Sequence, residues 1–425
     1  MLCYRGPRND TRLQEEDQVA QATGVRDDID EIMPGVVADR RDFHEHPELA
    51  FQEVRTAGIV ADRLRALGVE DVRTGIAQTG VTGLIRGQKS GEGKTVLLRA
   101  DMDALPILEE NEVEYRSQTP GVMHACGHDA HTAMLLGVTR LLMDRRDEFA
   151  GTVKVLFQPA EESPPGGAKP MIDAGVLEDP KVDAAFGLHI DQDNPVGVVE
   201  LRPGPAMAAA DRFRMVIRGK GGHGAKPHDT VDPIVIGAQI VTALQTLVAR
   251  VIDPTEEAVV TVGTFQAGLA FNVIPDTAEL GGTVRTFNAK NRDLLEERIG
   301  TLARGIAVAM GGDVHYTYTR GYPATVNHPE MAQLVREEAA KVVSEDGVRQ
   351  APLMMGAEDF SYFLEEVPGA FWFVGSQNPE RGLVWGHHHP RFDLDEAALA
   401  IGMESMVNVA LRYLNGPTPQ HARSG

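Results

Sequence analysis

The chain has 425 residues, 42% apolar and 24% charged, and its 62 acidic residues against 41 Lys and Arg give a formal net charge of −21. Those values describe an ordinary globular protein of two or three domains, with cores large enough to need no covalent staples. The negative total excludes sequence-independent binding to nucleic acid or to an anionic membrane, since both need a cationic surface.

Cys3 and Cys126 are the only cysteines; two distant thiols make no disulfide framework and fit a reducing compartment. The first 25 residues are polar and lack the apolar core of a signal peptide, and no run approaches the roughly 18–20 apolar residues of a membrane span. The expected location is the cytoplasm. Residues 1–25 are expected to form a flexible tail, and the closing TPQHARSG to be disordered.

In chain order, Asp30 to His46 predicts an amphipathic helix despite Pro34, and Arg55 to Leu67 a second. Thr95 to Ala100 is a buried-strand pattern, Thr132 to Met143 a helix, and Thr152 to Gln158 a strand. This alternation favours an α/β class with a mostly parallel sheet. Asp211 to Arg218 then alternates as a strand, Pro233 to Val251 reads as a helix, Ala258 to Gln266 and Ala278 to Thr286 as strands, Ala289 to Met310 as a helix and Asp313 to Thr319 as a strand. That order is β-α-β-β-α-β, the split βαβ unit. Residues 211–319 therefore read as an insertion in a larger domain, to which the buried-strand candidate Ala370 to Val374 returns.

Several clusters could carry chemistry. His124-Ala-Cys126-Gly-His128-Asp129-Ala-His131 places a thiol and an imidazole two residues apart, before the Thr132 helix. In a loop both could face one point, and both are good ligands for Zn²⁺ and its neighbours; a buried free thiol beside surface histidines is an equal reading. Glu161-Glu162 closes the Thr152–Gln158 strand, where one carboxylate could hold a metal and its neighbour take a proton. Asp101-Met-Asp103 ends another strand, and two carboxylates sharing a face repel unless a cation or histidine lies between them. His189 ends an apolar run, a place where a satisfied core histidine is commoner than a ligand. His387-His388-His389 precedes Pro390, and spacing does not say which of the three binds. Gly219 to His228 is rich in glycine yet lacks the phosphate-binding patterns; it presents His223. Arg285, with Asn272 in the same segment, is a bidentate partner for a carboxylate or else one half of a surface salt bridge.

Together these segments resemble the M20 metallopeptidase family, and most of all its amidohydrolase branch of hippurate hydrolase, N-acyl-amino-acid amidohydrolases and plant auxin-conjugate hydrolases. The matching stretches are RRDFHEHPELAFQE (40–53), RADMDALPI (99–107), MHACGHDAHTAMLLG (123–137), FQPAEE (157–162), GLHI (187–190), GGHGAKPH (221–228), FNVIPDTAELGGTVRTF (271–287), MGAEDFSYF (355–363) and HHHPRFD (387–393). The resemblance implies a zinc-peptidase-like α/β catalytic domain over residues 26–210 and 320–417, interrupted by a ferredoxin-like lid over 211–319 that mediates a homodimer. It implies two divalent metal ions, Zn²⁺ first, with Mn²⁺, Co²⁺ or Ni²⁺ also suited, held by Cys126, His128, Glu162, His189 and His388. Glu161 matches the general base. His223 matches a lid histidine that stabilises the oxyanion, in related enzymes within the partner subunit's site. Asn272 and Arg285 match positions near the substrate carboxylate, and Asp103 an acid that supports the metal ligands. Many relatives have a metal-binding His where this chain has Asp101, so Asp101 stays outside the ligand set. The implied reaction is hydrolysis of the amide bond of a small N-acyl amino acid. A dipeptidase or aminopeptidase on the same scaffold, or a non-catalytic metal-binding relative, are the alternatives.

Overall fold

A computed structural model describes residues 11–91 and 93–416, with side chains from residue 24 onward. The chain forms two compact units, one of Met1–Leu201, His328–Gln350 and Val367–Gly425, the other of Arg202–Asn327 and Ala351–Glu366.

The first unit is built on an eight-stranded sheet. Its strand order is Glu70–Ile76, Gly80–Arg86, Thr152–Gln158, Thr95–Asp101, Ala184–Pro195, Gly369–Gln377, Val199–Leu201 and Val348–Gln350. The four central strands, Thr152–Gln158 to Gly369–Gln377, are mutually parallel. Thr95–Asp101 and Thr152–Gln158 are buried along their whole length, as apolar strands covered on both faces must be. Truncating one of their leucines, such as Leu98, removes packing worth roughly 2–5 kcal/mol. Helices Thr11–Glu45, His128–Asp144, Ala397–Asn415 and Pro329–Val343 pack in succession, each against the next.

Two expectations need correcting. The tail expected over residues 1–25 is helical from Thr11, in one helix Thr11–Glu45 that includes Pro34. The cause is an apolar stripe that begins earlier than the expected start: Val25, Ile29, Ile32 and Val36 are spaced by four, three and four residues, and all are buried. Residues 1–10 and the TPQHARSG segment lie outside the described residues. The helix expected from Thr132 starts at His128, because Gly127, at φ +92°, can turn the chain through the left-handed region immediately before it.

The second unit carries an antiparallel sheet in the order Ala258–Ala267, Thr277–Thr286, Ala209–Arg218, Asp313–Thr319, the arrangement of a split βαβ unit. Helices Pro233–Arg250 and Ala289–Ala309 pack on each other. Their starts are legible: the Asp232 carboxylate accepts from the Ile234 and Val235 amides ahead of Pro233, and Asn288 accepts from Asn291. Ala351–Glu366 belongs here because its backbone is bonded to the unit, the Ala208 amide donating to Met354 at 2.9 Å. Pro233–Arg250 is long and apolar enough to cross a membrane by length and composition, yet Ile236, Ile240, Leu244 and Leu247 are buried in this unit's core.

A buried charge cluster ties the first helix to the rest of the first unit. Arg40 donates to Asp129 at 2.9 Å and to Asp393 at 2.8 Å. His44 meets Asp129 through Nδ1 at 2.8 Å and Glu109 through Nε2 at 3.2 Å. Burial pulls the His44 pKa down, but the bonds to Asp129 and Glu109 outweigh it and raise it to about 9. A raised pKa in the folded state adds stability that is complete below the unfolded value of about 6.5 and fades as pH rises through about 9. We expect thermal stability to fall between pH 7 and pH 10 by an amount on the order of 3 kcal/mol attributable to His44. His44→Asn should be less stable at pH 7 and have a flatter profile in differential scanning calorimetry; parallel profiles for the two proteins would remove His44 from the account.

Candidate metal centre

The central strands bring the expected donors together at their carboxyl ends, where α/β sheets place sites. Thr95–Asp101 leads into Asp103, Thr152–Gln158 into Glu161 and Glu162, and Ala184–Pro195 carries His189. Cys126, His128 and His189 form one group whose donor atoms lie within 4.8 Å of one another; Cys126, Glu162 and His388 form a second, and His128, Glu161 and Glu162 a third. All five expected ligands and Glu161 are thus in one cluster. Cys126 Sγ is 3.5 Å from His189 Nε2, and His388 Nε2 is 2.9 Å from Glu162 Oε1.

Local backbone conformation explains how neighbouring residues converge. Gly127 turns the chain between Cys126 and His128, so the thiol and the imidazole reach the same cluster although the second opens a helix. His388 itself has φ +65°, a left-handed conformation that costs a non-glycine residue on the order of 1 kcal/mol. That kink separates the three histidines. His388 meets Glu162, His387 approaches Cys126 Sγ at 3.7 Å and accepts from the Gln192 amide, and His389 stacks on Trp385 with ring centroids 4.3 Å apart. Ala160, at φ +57°, makes a similar kink before Glu161, and its amide donates to the buried carboxylate of Glu53 at 3.0 Å.

Asp103 organises the donors without belonging to any of these groups. One of its oxygens accepts from His128 Nδ1 at 3.2 Å and from the Glu161 amide at 3.0 Å; the other accepts from the Glu162 amide at 3.0 Å. With one proton committed to Asp103, the neutral form of His128 has its lone pair on Nε2, which is buried and has no hydrogen-bond partner. His189 donates through Nδ1 to the Ile190 carbonyl at 2.6 Å, which leaves the lone pair of the neutral ring on Nε2, facing Cys126 Sγ. Asp101 lies on the far side of His128, 3.7 Å from Nε2, so a histidine does separate the two carboxylates of the Asp-Met-Asp sequence.

The field at the cluster favours positive charge. Burial, then Glu162 and Glu161, raise the pKa of the Cys126 thiol. Burial opposes a charged His128, but Asp101 and Asp103 prevail and raise it to about 10. Imidazoles, a thiol and carboxylates in a negative setting fit divalent cations of the zinc group.

The remaining expected residues lie in the second unit. His223 pairs with Val273 on a two-stranded ribbon, and the neighbouring Gly224 amide donates to the Asn272 carbonyl at 2.8 Å, so the structure brings His223 and Asn272 side by side. His223 Nδ1 accepts from the Ala225 amide at 3.0 Å, which puts the proton of the neutral ring on exposed Nε2. Arg285 stands on Thr277–Thr286 and donates to Thr283 Oγ1, the Val284 carbonyl and the Met355 carbonyl. It makes no ion pair among the described residues, so it is not half of a surface salt bridge. Sequence reasoning about individual clusters did not reach Arg40, His44 or Glu53 and gave His131, a member of the first cluster, no role of its own; the signal for it is its spacing of three from His128, which counts only once the helix is known to start at His128.

Comparison with known proteins agrees with this geometry. Residues 97–412 match the family model for peptidase family M20/M25/M40. Thermostable carboxypeptidase 2 of Saccharolobus solfataricus is 42% identical over 92% of this chain and 98% of its own. IAA-amino acid hydrolase ILR1-like 4 of Arabidopsis thaliana is 41% identical over 92% and 87%, and the N-acyl-L-amino acid amidohydrolase of Geobacillus stearothermophilus 45% identical over 71% and 80%. The crystal structure of the Bacillus subtilis YXEP protein, a dinuclear metal binding peptidase from the M20 family, superposes with a TM-score of 0.78 at 37% identity over 91% of this chain and 99% of that one. Fold and site define a metal-dependent hydrolase of amide bonds. The chain belongs to the M20/M25/M40 peptidase family.

Asp103→Ala should leave the fold intact by circular dichroism but weaken metal binding about 10–100-fold, the usual effect of removing a carboxylate behind a ligand histidine. Isothermal titration with Zn²⁺ measures it, and unchanged affinity would show that Asp103 does not organise the site.

Proposed function

We propose that the protein hydrolyses N-acyl amino acids to a carboxylic acid and a free amino acid, with two divalent metal ions, Zn²⁺ first, held by Cys126, His128, Glu162, His189 and His388. The observation that carries the reading is the convergence of these five donors and Glu161 in one negatively charged cluster, with His128 and Glu161 buried and His388 exposed. The names of the relatives support the substrate class. Hydrolysis of an acyl or IAA conjugate of an amino acid, and carboxypeptidase action, share one bond: an amide whose leaving group is an amino acid with a free carboxylate.

Bound metal supplies Lewis acidity to water and to the scissile carbonyl. Glu161, buried on the turn held by Asp103, takes the proton of the attacking water and delivers it to the departing amine nitrogen. His223 donates from Nε2 to the developing oxyanion; the acceptor role of its Nδ1 supports that assignment. Arg285, free of carboxylate partners, and Asn272 bind the carboxylate of the substrate.

The lid unit also supports a homodimer of this chain. The exposed face of Pro233–Arg250 presents Val235, Ala238, Thr242, Gln245, Thr246 and Ala249, with a charge at its last residue, Arg250, in a chain of net charge −21. Ala258–Ala267 is an edge strand with one side unpaired. The thiol of Cys126 is free, which supports a reducing, cytoplasmic setting.

Glu161→Gln should retain its metal by elemental analysis and lose turnover by about 10²–10⁴-fold, the range expected for a positioned general base. Full turnover in that variant would sink the assignment. In a substrate panel, hippurate-type compounds should be cleaved in preference to free dipeptides; the reverse order would favour a dipeptidase. Sedimentation equilibrium should give twice the chain mass of 46.0 kDa, and a monomer at micromolar concentration would refute the dimer.

A further inference from the structure

His131 stands one helical turn beyond His128, and both its ring nitrogens are committed. Nε2 lies 2.9 Å from the Ile190 amide nitrogen, and Nδ1 lies 2.7 Å from Asp101 Oδ1. A backbone N–H can only donate, so Nε2 is the acceptor and the single ring proton sits on Nδ1, donated to Asp101. The other oxygen of Asp101 accepts from Arg99 Nη1 at 2.6 Å, and its carbonyl accepts from Thr132 Oγ1 at 2.7 Å. The buried hydrogen bonds therefore converge on Asp101: Arg99 donates from one side, and from the other the Ile190 amide donates to His131, which donates to Asp101.

That peptide needs such a support. The pairing of Thr95–Asp101 with Ala184–Pro195 stops at Arg99 and Gly187, and the Ile190 amide, three residues further on, is taken by an imidazole instead of a strand neighbour. His189 then donates to the Ile190 carbonyl at 2.6 Å and presents Nε2 towards Cys126. The His131 ring stacks on His128 with centroids 5.4 Å apart and meets His189 edge-on at 4.6 Å. One side chain thus contacts both histidines and fixes the backbone of the second.

We propose that His131, anchored by Asp101, is a positioning residue of the metal centre: it sets the His189 backbone and the relative placement of the His128 and His189 rings, and so raises metal affinity. The proposal rests on the reading of those two histidines as ligands. Asp101, His128 and His131 also form a group of donors within 4.8 Å, but the hydrogen bonds above argue against a cation there. His131 Nε2 has given its lone pair to Ile190, and each Asp101 oxygen already accepts a bond.

The test compares His131→Leu, which loses both bonds, with His131→Gln, whose amide can accept from Ile190 and donate to Asp101. The full chain is stripped of metal and titrated with Zn²⁺ against a competing chelator, and Co²⁺-loaded samples are compared by visible absorption. The Leu variant should bind Zn²⁺ about 10–100-fold more weakly with an altered Co²⁺ spectrum, and the Gln variant should recover most of the affinity and the wild-type spectrum. Wild-type affinity in the Leu variant, or a Gln variant as weak as the Leu variant, overturns the proposal. If the Leu variant does not fold, the Gln variant decides alone, since a large loss of Zn²⁺ affinity there also overturns it. A His189→Ala control separates the two levels: undiminished binding in that protein would refute the ligand reading itself.

Discussion

The structure turns on the hydrogen bonds accepted by Asp103. A metal cluster drawn from separate chain segments must hold each donor at a fixed angle in a place with little water, and side-chain entropy opposes that order. One buried carboxylate meets much of the requirement, because it takes the His128 ring and both amides of the Glu161-Glu162 turn at once. A charged acceptor makes each of these bonds stronger than a neutral pair would be. The strand that delivers Asp103 and the strand that delivers the glutamates are direct parallel neighbours, so the sheet register and the chemistry at its end are one constraint.

The same device recurs outward from the cluster. Glu53 holds the kinked Ala160, and Arg40 joins Asp129, next to His128, to Asp393, a few residues after His388. Each contact links a segment of the donor cluster to a side chain from the first helix or the turn after it. Buried ion pairs are poor sources of net stability, since desolvation offsets much of their attraction. Their value here is directional: a carboxylate or imidazole with defined partners has few alternative placements. Proton positions follow the same logic, as His128, His189 and His131 each have the ring proton assigned by a neighbour of known polarity.

Much of this was legible in the sequence. The strand patterns fall on the observed strands to within two residues in the segments that matter most, and the β-α-β-β-α-β order gives the sheet of the second unit. The acidic pairs sit at strand ends, so their convergence follows from the rule that parallel sheets place sites there, and the Cys-x-His pair lies on the turn into the helix that begins at His128. What was not legible depends on backbone angles and contacts distant in sequence. Nothing in His-His-His-Pro reveals that His388 takes a positive φ and so parts from its neighbours. Nothing local in the first helix reveals that Arg40 reaches Asp393, more than three hundred residues away. The early start of that helix was visible in the spacing of Val25, Ile29 and Ile32, and the polar residues between them obscured it.

The net charge and the proposed substrate stand in opposition, and the proposed role of Arg285 would reconcile them. At −21 the molecule repels anions at long range, yet an N-acyl amino acid is an anion. Screening confines that repulsion to about 8 Å at physiological ionic strength, so recognition depends on charge close at hand. In the first unit Arg40 is neutralised by Asp129 and Asp393, and Arg99, beside the donor cluster, by Asp101. Arg285 is in a different condition, partly buried, fixed by neutral acceptors and without a carboxylate. Neutral partners hold a guanidinium in place without cancelling its charge, and the anion-binding role proposed for Arg285 needs that combination.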